Sequence, residues 1–417
     1  MRAAIEAGQI VDPLTQPLPQ VAQRTVFGGQ QRGGGVPTVT AADIFPFEDT
    51  ASLLQTNFTN CDLFLLMAQA TNAVLAANGD NFDFVGFFIN FPPDHQIGSA
   101  FYLGLENATS GLGQGNFNFR PQLGVAGNNV EGWVMMWRQS SWGPNDTTML
   151  VMGQEFEHRW GMYLNPLLDG RSLQGDDAGC GRGSHWSWKV DGQGSGMEIR
   201  EWIGTNPAVL GGVCSGGFPF ICNNTDIGNS PAGLGAVFSY TDLYLMGYVS
   251  PAEMDAGNSE LRYMDNSDCS SAYNGTISTF ASADIVAANG ARNPNSVGSQ
   301  HAFRTAWVMI HLPGAPPTAG EVNNAVNILN RWSEDWNWST LALGTMDNTL
   351  QAPVPCPGHD GDLNGDTATN GLDIFPFVDG IVNGTADATM TCSGDFDDSG
   401  VLDLGDVPGM VSALLVP

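Results

Sequence analysis

Apolar residues recur at helical spacing along residues 51–78, where good helix formers fill the positions between them. A run of aromatic and aliphatic residues, NFDFVGFFINF (81–91), follows and predicts a buried strand. Two shorter apolar runs, at residues 100–105 and 132–138, predict a pair of strands. Helical spacing returns at residues 148–165. This part of the chain therefore predicts a mixture of helices and strands.

A long Gly-rich segment, residues 170–235, shows little periodicity and predicts a loop-dominated insertion. The apolar segment FSYTDLYLMGYV (238–249) precedes Ser250-Pro251, which together predict a helix cap and a first helical turn. Helix or strand patterns resume at residues 301–312 and 319–336. Regular structure is therefore expected on both sides of the Gly-rich segment.

These patterns predict an α+β domain over residues 37–350, in which a twisted mixed sheet packs on the helix of residues 148–165 and long Gly-rich loops surround a cleft. Residues 1–36 are polar and rich in Gly and Gln, which predicts a flexible N-terminal segment. The composition changes to that of a linker at residues 351–358. Residues 359–417 are then expected to form a small, separate helical domain.

The charge balance restricts the partners. The 417 residues contain 14 Lys and Arg against 43 Asp and Glu, which gives a formal net charge of −29. Such a chain repels phosphate backbones and anionic lipid, so we expect no binding to nucleic acid or to membrane surfaces. No apolar run approaches the roughly 18 residues needed to span a bilayer. An acidic composition also suits a protein that collects cations.

The seven cysteines include no CxxC pair, which weakens a zinc-ribbon or thioredoxin interpretation. Cys214 and Cys222 bracket a short Gly/Pro loop, and Cys356 and Cys392 each precede an Asp-rich segment. Both patterns suit local disulfides in an oxidising compartment, with buried reduced thiols of a cytosolic protein as the alternative. The first twenty residues lack the apolar core of a signal peptide. We expect an extracellular or cell-surface protein whose leader is not visible in this chain.

Two Asp-rich loops repeat 33 residues apart, DLNGDTATNGLD (362–373) and DFDDSGVLDLGD (395–406). Oxygen donors fall at positions 1, 3, 5, 9 and 12 of each loop, with a backbone carbonyl at position 7, and this spacing suits a hard cation that takes six to eight oxygens. Gly400 supplies the turn at position 6, where the first loop has Thr367. The expected ligands are Asp362, Asn364, Asp366, Ala368, Asn370 and Asp373 in the first loop, and Asp395, Asp397, Ser399, Val401, Asp403 and Asp406 in the second.

Each loop is followed by an apolar helical segment, residues 372–382 and 406–415, and no helix is expected to enter either loop. This loop-helix repeat, with Asp at position 12, resembles the dockerin family of bacterial extracellular proteins. The resemblance implies a paired EF-hand-type domain that binds two calcium ions and docks to a cohesin-like domain of another protein. An acidic solvated tail is the alternative, but it does not account for the repeated register.

The segment Gln154-Glu155-Phe156-Glu157-His158 has the spacing of a zinc-binding helix with one ligand changed. In H-E-x-x-H, two His residues four positions apart share one helix face and hold a zinc ion, while the Glu polarises water. Glu155 and His158 fit this pattern, but the first His is Gln154. Gly161 falls where a Gly ends such helices.

Together with a His185-Trp-Ser element and a downstream DLYLMG segment (242–247), this helix resembles a family of bacterial secreted zincin-like proteins. The resemblance implies that His158 is a zinc ligand, that Glu155 is the general base, and that His185 or Asp242 is the remaining protein ligand. Met246 would lie in a turn below the metal.

Gln154 leaves three functions open, because a neutral amide is a poor substitute for imidazole on zinc. The first is a metallopeptidase that uses Gln154, His158 and a third ligand to cleave a peptide or protein substrate. The second is an inactive relative that binds proteins or glycans through the retained cleft. The third is an unrelated extracellular binding, adhesive or structural domain. In each case the C-terminal module would anchor the chain to a partner.

Overall fold

The structure, a computed structural model, describes most of residues 37–350 and part of the C-terminal region. The described residues are 37–96, 98–161, 163–164, 171, 173, 185–187, 189–191, 195–197, 238–257, 261–265, 276–350, 359–364, 368–383, 386, 388–396 and 402–415. The chain divides into two compact units, Pro37–Leu350 and a second unit that contains Gln351–Pro417. The flexible segment and the linker predicted at residues 1–36 and 351–358 lie outside the described residues.

The described residues form ten α-helices and eleven strands. The helices are α1 Asn60–Asn78, α2 Arg120–Leu123, α3 Asp146–Glu157, α4 Tyr240–Met246, α5 Pro251–Gly257, α6 Ser282–Asn289, α7 Ala319–Ser339, α8 Ile374–Asn383, α9 Ala388–Gly394 and α10 Val407–Leu415. The strands are β1 Ile44–Glu48, β2 Phe84–Ile89, β3 Phe101–Gly104, β4 Glu106–Asn107, β5 Phe117–Asn118, β6 Gly132–Arg138, β7 Val190–Asp191, β8 Leu261–Asp265, β9 Thr276–Phe280, β10 Ala302–His311 and β11 Thr345–Asp347.

The main sheet is mixed, as predicted for an α+β fold. Its strands lie in the order β1-β10-β2-β6-β3, and β11 pairs with the first residues of β10. The first four strands are parallel, whereas β3 runs antiparallel to β6 and ends the row. The predicted strand pair at residues 100–105 and 132–138 is therefore confirmed, with Tyr102 opposite Val134.

Both faces of the sheet are covered, which explains why β2 reads as an almost unbroken apolar run. Phe84 and Phe88 point to one face and pack in the same cluster as α3 and α7. Val85 and Phe87 point to the other face, which α1 covers. Successive side chains of a strand alternate between faces, so a strand between two apolar layers must be apolar at every position.

The first helix begins nine residues later than predicted, at Asn60 rather than residue 51. Thr59 caps it: its hydroxyl accepts the peptide N–H of Asp62, whose carboxylate accepts the peptide N–H of Thr59 at 2.8 Å. This reciprocal arrangement satisfies two N-terminal donors and fixes the start of the helix. Residues 51–58 therefore do not form a helix, although their apolar residues have helical spacing.

Helix α3 carries Gln154 and Glu155 and is shorter than the predicted 148–165. Asn145 caps its N-terminus by accepting the peptide N–H of Thr148 at 3.0 Å. The helix ends at Glu157, and His158 is its C-cap. Gly161 lies in the turn that follows, where a Cβ would come within 2.6 Å of Cγ of Met197. The segment that contains Met197 thus packs closely against this turn.

Helix α3 packs against α7 and against strands β3 and β6. The contact with α7 is aromatic: the ring of Phe156 lies 5.3 Å from that of Trp332 and 6.0 Å from that of Trp336. All three side chains are buried. The ambiguous pattern at residues 301–312 is the strand β10, and that at residues 319–336 is the helix α7.

The C-terminal unit contains the two expected helices after the loops, α8 and α10, and one that was not expected. Helix α9 ends at Gly394 and leads directly into the second loop. The prediction that no helix enters a loop is therefore wrong for the second loop. A Cβ at Gly394 would lie 2.6 Å from Cδ1 of Leu402 and 3.2 Å from Cδ2 of Leu363, so glycine lets the end of this helix approach the core of the unit. The buried core residues are Leu363, Phe377, Leu402 and Met410.

Among the described residues, no helix is both long enough and apolar enough to cross a membrane.

Candidate functional site

The structure brings Gln154, His158 and His185 together at one point. The amide Nε2 of Gln154 lies 2.6 Å from Nε2 of His158 and 2.6 Å from Nε2 of His185. The two imidazole rings are 5.0 Å apart, centroid to centroid. Gln154 and His158 lie four residues apart along the helix, so they share one face. His185 comes from a separate segment and completes the group.

Neighbouring backbone contacts fix the position of His185. The peptide N–H of Trp186 donates to the carbonyl of Met197 at 2.8 Å, and the indole N–H of Trp186 donates to the carbonyl of Gly161 at 2.9 Å. Trp186 is fully buried. The indole therefore ties the segment that contains His185 to the turn that follows α3.

The site is enclosed, and burial sets the protonation states of its members. Gln154, Glu155 and His158 are all buried, with 4%, 6% and 6% of their surface exposed. Burial, together with the charge of His185, lowers the pKa of His158 to about 3. His158 is thus neutral at physiological pH, which is the form that a metal ion or a hydrogen-bond donor requires.

Glu155 lies beside this group, with Oε2 3.9 Å from Nε2 of His158. Burial raises the pKa of Glu155 to about 8, and the peptide N–H of Tyr102 opposes part of this shift. A carboxyl whose pKa lies near neutrality can both accept and release a proton under working conditions. Its position next to the three converging side chains suits a general base.

One atom of the site has no partner. Nδ1 of His158 is buried and makes no hydrogen bond among the described residues. When Nε2 offers its lone pair to the centre of the group, the proton sits on this buried Nδ1, and an unsatisfied buried donor costs roughly 1–3 kcal/mol. Functional sites often contain groups that lower the stability of the fold in this way.

Asp242, the other candidate for the third ligand, makes its contacts with other residues. It lies on α4 with no exposed surface, and it accepts hydrogen bonds from the hydroxyl of Ser195 at 2.5 Å and from the peptide N–H of Ser239 at 3.0 Å. Its side chain is also hydrogen-bonded to that of Glu157, and burial raises the pKa of Asp242. Two buried carboxyls in contact must share a proton, because both cannot be ionised. Asp242 therefore stabilises the end of α3 through its hydrogen bond with Glu157.

Glu157 and Ser195 were not singled out from the sequence. Glu157 is the last residue of α3 and is fully buried. The signal for it was a charged residue placed between the apolar Phe156 and Trp160 on a helix that is buried all round. No comparable signal marked Ser195.

Met246, predicted to form a turn below the metal, ends helix α4 and is buried. The carbonyls of Leu245 and Met246 accept hydrogen bonds from the guanidinium of Arg292 at 2.8 and 2.9 Å. A cation at a helix C-terminus satisfies the last carbonyls and is favoured by the helix dipole. Arg292 thus holds this turn in place.

Each of the two Asp-rich loops contains a hydrogen bond between the same two loop positions. The carboxylate of Asp373 accepts the peptide N–H of Asn370 at 2.8 Å, and that of Asp406 accepts the peptide N–H of Asp403 at 2.8 Å. In both loops, position 12 thus bonds to position 9. Asp373 also accepts the peptide N–H groups of Leu363 and Asn364. Asp366, Asp397, Ser399 and Val401 lie outside the described residues.

Three of the loop carboxylates are buried: Asp373 and Asp406 completely, and Asp395 with 6% exposed. Residues 356–417 contain no Lys and no Arg. Buried carboxylates are normally paired or bound to cations. Residues 356–417 therefore offer no Lys or Arg side chain to pair with these carboxylates.

Helices α8 and α10 each expose an apolar stripe on their surface. Ile374, Val378 and Val382 lie four residues apart on α8 and are 47%, 47% and 70% exposed. Val407, Val411 and Leu415 occupy the corresponding places on α10, 33 residues later, and are 37%, 49% and 77% exposed. The two stripes are thus a repeated feature of the sequence that the core does not use.

The cysteines are described only in part. Cys392, on α9, takes part in a disulfide bond, and Cys61, on α1, is an exposed free thiol. The other three candidates, Cys214, Cys222 and Cys356, lie outside the described residues.

Within the described part of the chain, no group of three or more His, Cys, Asp or Glu side chains is arranged to hold a metal ion. The group around His158 contains only two such residues, and the amide of Gln154 is the third member. Comparison with protein-family models, with curated proteins and with solved structures finds no match to the chain. The function must therefore be argued from the residues themselves.

Proposed function

We propose that this protein is an extracellular, zincin-like metallopeptidase homologue that is anchored to a partner through a calcium-binding, dockerin-like module. The convergence of Gln154, His158 and His185 beside the buried Glu155 carries the proposal. A neutral imidazole, a second imidazole and a carboxyl of raised pKa, brought together in one site, are a combination expected for hydrolytic chemistry.

Two of the three converging side chains are suitable ligands for a divalent transition metal. His158 and His185 supply imidazole nitrogens, which zinc accepts readily. Gln154 supplies Nε2 as described, but rotation of its terminal amide would present Oε1 to the same point. When bound, a dication would supply a Lewis acid that polarises a peptide carbonyl.

The remaining steps belong to the residues of this chain. In its ionised form, Glu155 would take a proton from the attacking water and pass it to the leaving amine. Asp242 and Glu157 would keep the end of α3, and with it His158, in place through their shared proton. The buried walls of the site would exclude bulk water and strengthen each of these electrostatic contacts.

A non-catalytic binding role is the second candidate, and the same amide favours it. As described, the NH2 group of Gln154 can donate one hydrogen to each imidazole and so satisfies both nitrogens without a cation. A neutral amide oxygen is also a weak ligand for zinc. In this case the enclosed site would be a structural remnant, and the surface around it would bind a protein or glycan.

Zinc stoichiometry distinguishes the two candidates. We expect the full-length protein, with calcium present to occupy the loops, to retain one zinc per chain after gel filtration, and His185→Ala to retain none. Gln154→His should tighten zinc binding by more than about 100-fold, because it restores a direct ligand. Cleavage of fluorescently labelled casein is measured in parallel.

The possible results distinguish a metallopeptidase from a non-catalytic relative. Equal zinc content in the wild type and His185→Ala would refute a metallopeptidase. If the wild type is silent and Gln154→His gains zinc-dependent cleavage, the protein is the non-catalytic relative. In that background Glu155→Gln should abolish cleavage and keep the zinc, which controls for the proposed role of the carboxyl.

The proposal for the C-terminal unit has separate support. Residues 356–417 have buried carboxylates, no basic side chain other than His359 and two matching apolar stripes that are exposed. The carboxylates would bind two calcium ions, and the stripes would dock a cohesin-like domain. The disulfide of Cys392 supports an extracellular location, because such bonds persist in oxidising compartments.

A further inference from the structure

The parallel strands β1, β10 and β2 end side by side, and a polar residue stands at the end of each. Glu48 of β1 is paired in register with His311 of β10. Asn90 follows the last residue of β2, and its peptide N–H donates to the carbonyl of Ile310 at 3.1 Å, which sets it beside His311. Because neighbouring strands lie only about 4.8 Å apart, these three residues form a row at the carboxyl edge of the sheet.

The three side chains of this row lie on one face of the sheet. Side chains of a strand alternate between faces, so positions two or four residues apart share a face. Each member of the row lies two or four residues after a member of the apolar cluster that contains α3 and α7: Ile44, Met309 and Phe88. The row therefore continues this apolar face with polar groups, at the edge of the sheet.

A single turn, residues 312–315, forms hydrogen bonds with all three side chains. A peptide N–H of this turn donates to Oε2 of Glu48 at 3.4 Å. One of its carbonyls accepts a hydrogen bond from Nδ2 of Asn90 at 3.1 Å, and another lies 3.0 Å from Nδ1 of His311. The turn between β10 and α7 thus fixes one polar atom of each side chain.

The second polar atom of each side chain keeps a lone pair. A carbonyl can only accept a hydrogen bond, so Nδ1 of His311 carries the proton and, in the neutral ring, Nε2 carries the lone pair. Oδ1 of Asn90 is buried and makes no hydrogen bond among the described residues. Oε1 is the second oxygen of Glu48, whose side chain is exposed. The row therefore offers one nitrogen and two oxygens as ligand atoms.

Stabilisation of the turn accounts only for the atoms that are bonded to it. It leaves Oδ1 of Asn90 shielded from water without a partner, which lowers the stability of the fold until something binds this atom. A carbonyl that accepts from the other ring nitrogen is also the usual way in which a protein orients a metal-binding histidine. His311, with 8% of its surface exposed, has this second contact.

We propose that Glu48, His311 and Asn90 bind a divalent transition-metal ion, with water in its remaining positions. An imidazole nitrogen combined with carboxylate and amide oxygens suits such an ion. The bound ion joins the ends of three strands, and β1 is the terminal strand of the row. Its role is therefore to hold this edge of the sheet, together with the turn that leads into α7.

This site is separate from the group around His158. Helix α3 begins at Asp146, shortly after β6 ends at the same edge of the sheet, and its 12 residues span about 18 Å. His158 lies at the other end of that helix. The new site also has a single imidazole, so we expect it to exchange its ion readily and to lose it on gel filtration.

Equilibrium dialysis of the full chain against Co²⁺ tests the proposal. Calcium is present in large excess to occupy the Asp-rich loops, and all proteins carry His185→Ala to disable the group around His158. We expect one Co²⁺ per chain to bind. Adding His311→Ala should raise the Kd by more than about tenfold, because a direct ligand is lost.

Glu48→Gln keeps the assay interpretable if His311→Ala disturbs the fold. Glu48 is exposed, and the change removes its charge while it keeps the shape of the side chain, so the Kd should rise several-fold. Co²⁺ should also raise the melting temperature of the His185→Ala protein, and Glu48→Gln should reduce that shift. His95→Ala is the matched control, because it removes an exposed histidine outside the row and should retain Co²⁺ binding.

The inference would be overturned by three results: no binding of Co²⁺, binding that neither His311→Ala nor Glu48→Gln weakens, or an equal loss in His95→Ala. None of these results bears on the peptidase proposal, which depends on zinc retained through His185. Conversely, Co²⁺ binding that depends on His311 in a protein that retains no zinc would keep this site and remove the peptidase.

Discussion

The carboxyl of Asp83 illustrates how burial changes a single group. It accepts hydrogen bonds from the peptide N–H of Arg304 at 2.7 Å and from the side-chain amide of Gln300 at 2.8 Å. Burial nevertheless outweighs these bonds and raises the pKa of Asp83 to about 6. The folded state therefore disfavours the ionised carboxylate.

The sign of the pH dependence follows from this shift. The folded pKa lies above the unfolded value of about 4, so the stabilising contribution is complete below about pH 4 and is lost as the pH rises to about 6. Asp83→Asn does not titrate. Urea unfolding at pH 4, 5, 6 and 7 should show the variant gaining up to about 3 kcal/mol on the wild type across this range, with no further change above pH 7.

Asp62 provides a control of opposite sign. The peptide N–H and the hydroxyl of Thr59 lower the pKa of Asp62, so its contribution is present at neutral pH and is lost in acid. Asp62→Asn should therefore lose stability relative to the wild type as the pH rises above the pKa of Asp62. If both variants changed in the same direction, burial would not be the cause of the shift at Asp83.

At the residue scale, the sequence predicted half of the site. The spacing of Gln154, Glu155 and His158 follows from helix geometry, so it could be read directly. The choice between His185 and Asp242 could not, because loop structure rather than helical periodicity brings His185 to α3. Glu157 was missed because a buried carboxyl that shares a proton looks, in a sequence, like a surface charge.

At the scale of elements, two glycines around α3 should respond in opposite ways to a methyl group. Gly161→Ala would place Cβ 2.6 Å from Cγ of Met197 and 3.2 Å from Oε1 of Glu157. We expect it to lower the free energy of unfolding by about 1–3 kcal/mol, as overpacking usually does. Thermal and urea denaturation measure the change.

Gly153→Ala is the matched control, since its Cβ would make ordinary contact, at 3.7 Å, with the ring of Phe238. Within a helix, replacing Gly by Ala stabilises by roughly 0.5–1 kcal/mol because the unfolded chain loses freedom. Equal effects of the two substitutions would contradict the close packing of Met197 against Gly161.

The apolar stripes of α8 and α10 make a second prediction at this scale. Val378→Asp combined with Val411→Asp should abolish binding of a purified cohesin domain, because it puts two charges into an apolar contact. Both residues are exposed, so the melting temperature should change little. Ser412→Asp adds the same charge on an exposed position of α10 outside the stripe and should retain binding.

Element boundaries were less predictable than element types. Residues 51–58 are spaced like a helix, but the reciprocal cap of Thr59 and Asp62 places the start at Asn60. The turn after α3 packs against Met197, a contact between residues remote in sequence that could not be inferred. Helix α9 was missed because its short sequence, ATMTCSG, has little helical propensity and depends on packing in the small core.

At the scale of the whole molecule, the charge of −29 is distributed unevenly. Eleven Asp and no basic residue other than His359 lie in residues 356–417. Crowded carboxylates oppose folding of this unit unless cations bind to them. Binding to the folded form alone raises stability by about 2.7 kcal/mol at a calcium concentration 100 times the Kd.

Differential scanning calorimetry of the full chain should therefore show a transition that moves to lower temperature in EDTA and returns when calcium is added in excess. Asp362→Ala removes an expected ligand and should shrink the shift. Asp379→Ala removes the same charge from α8, outside the loops, and should preserve it. A thermogram that is identical with EDTA and with calcium would contradict the calcium assignment.

The aromatic contact between α3 and α7 places two tryptophans where their fluorescence can report on the interior site. Trp332 and Trp336 lie against Phe156, two residues from Gln154, so a shift of α3 alters the surroundings of both indoles. Their emission should respond when the site is loaded or its ligands are exchanged. The occupancy of the site could then be followed in real time, with no label attached to the protein.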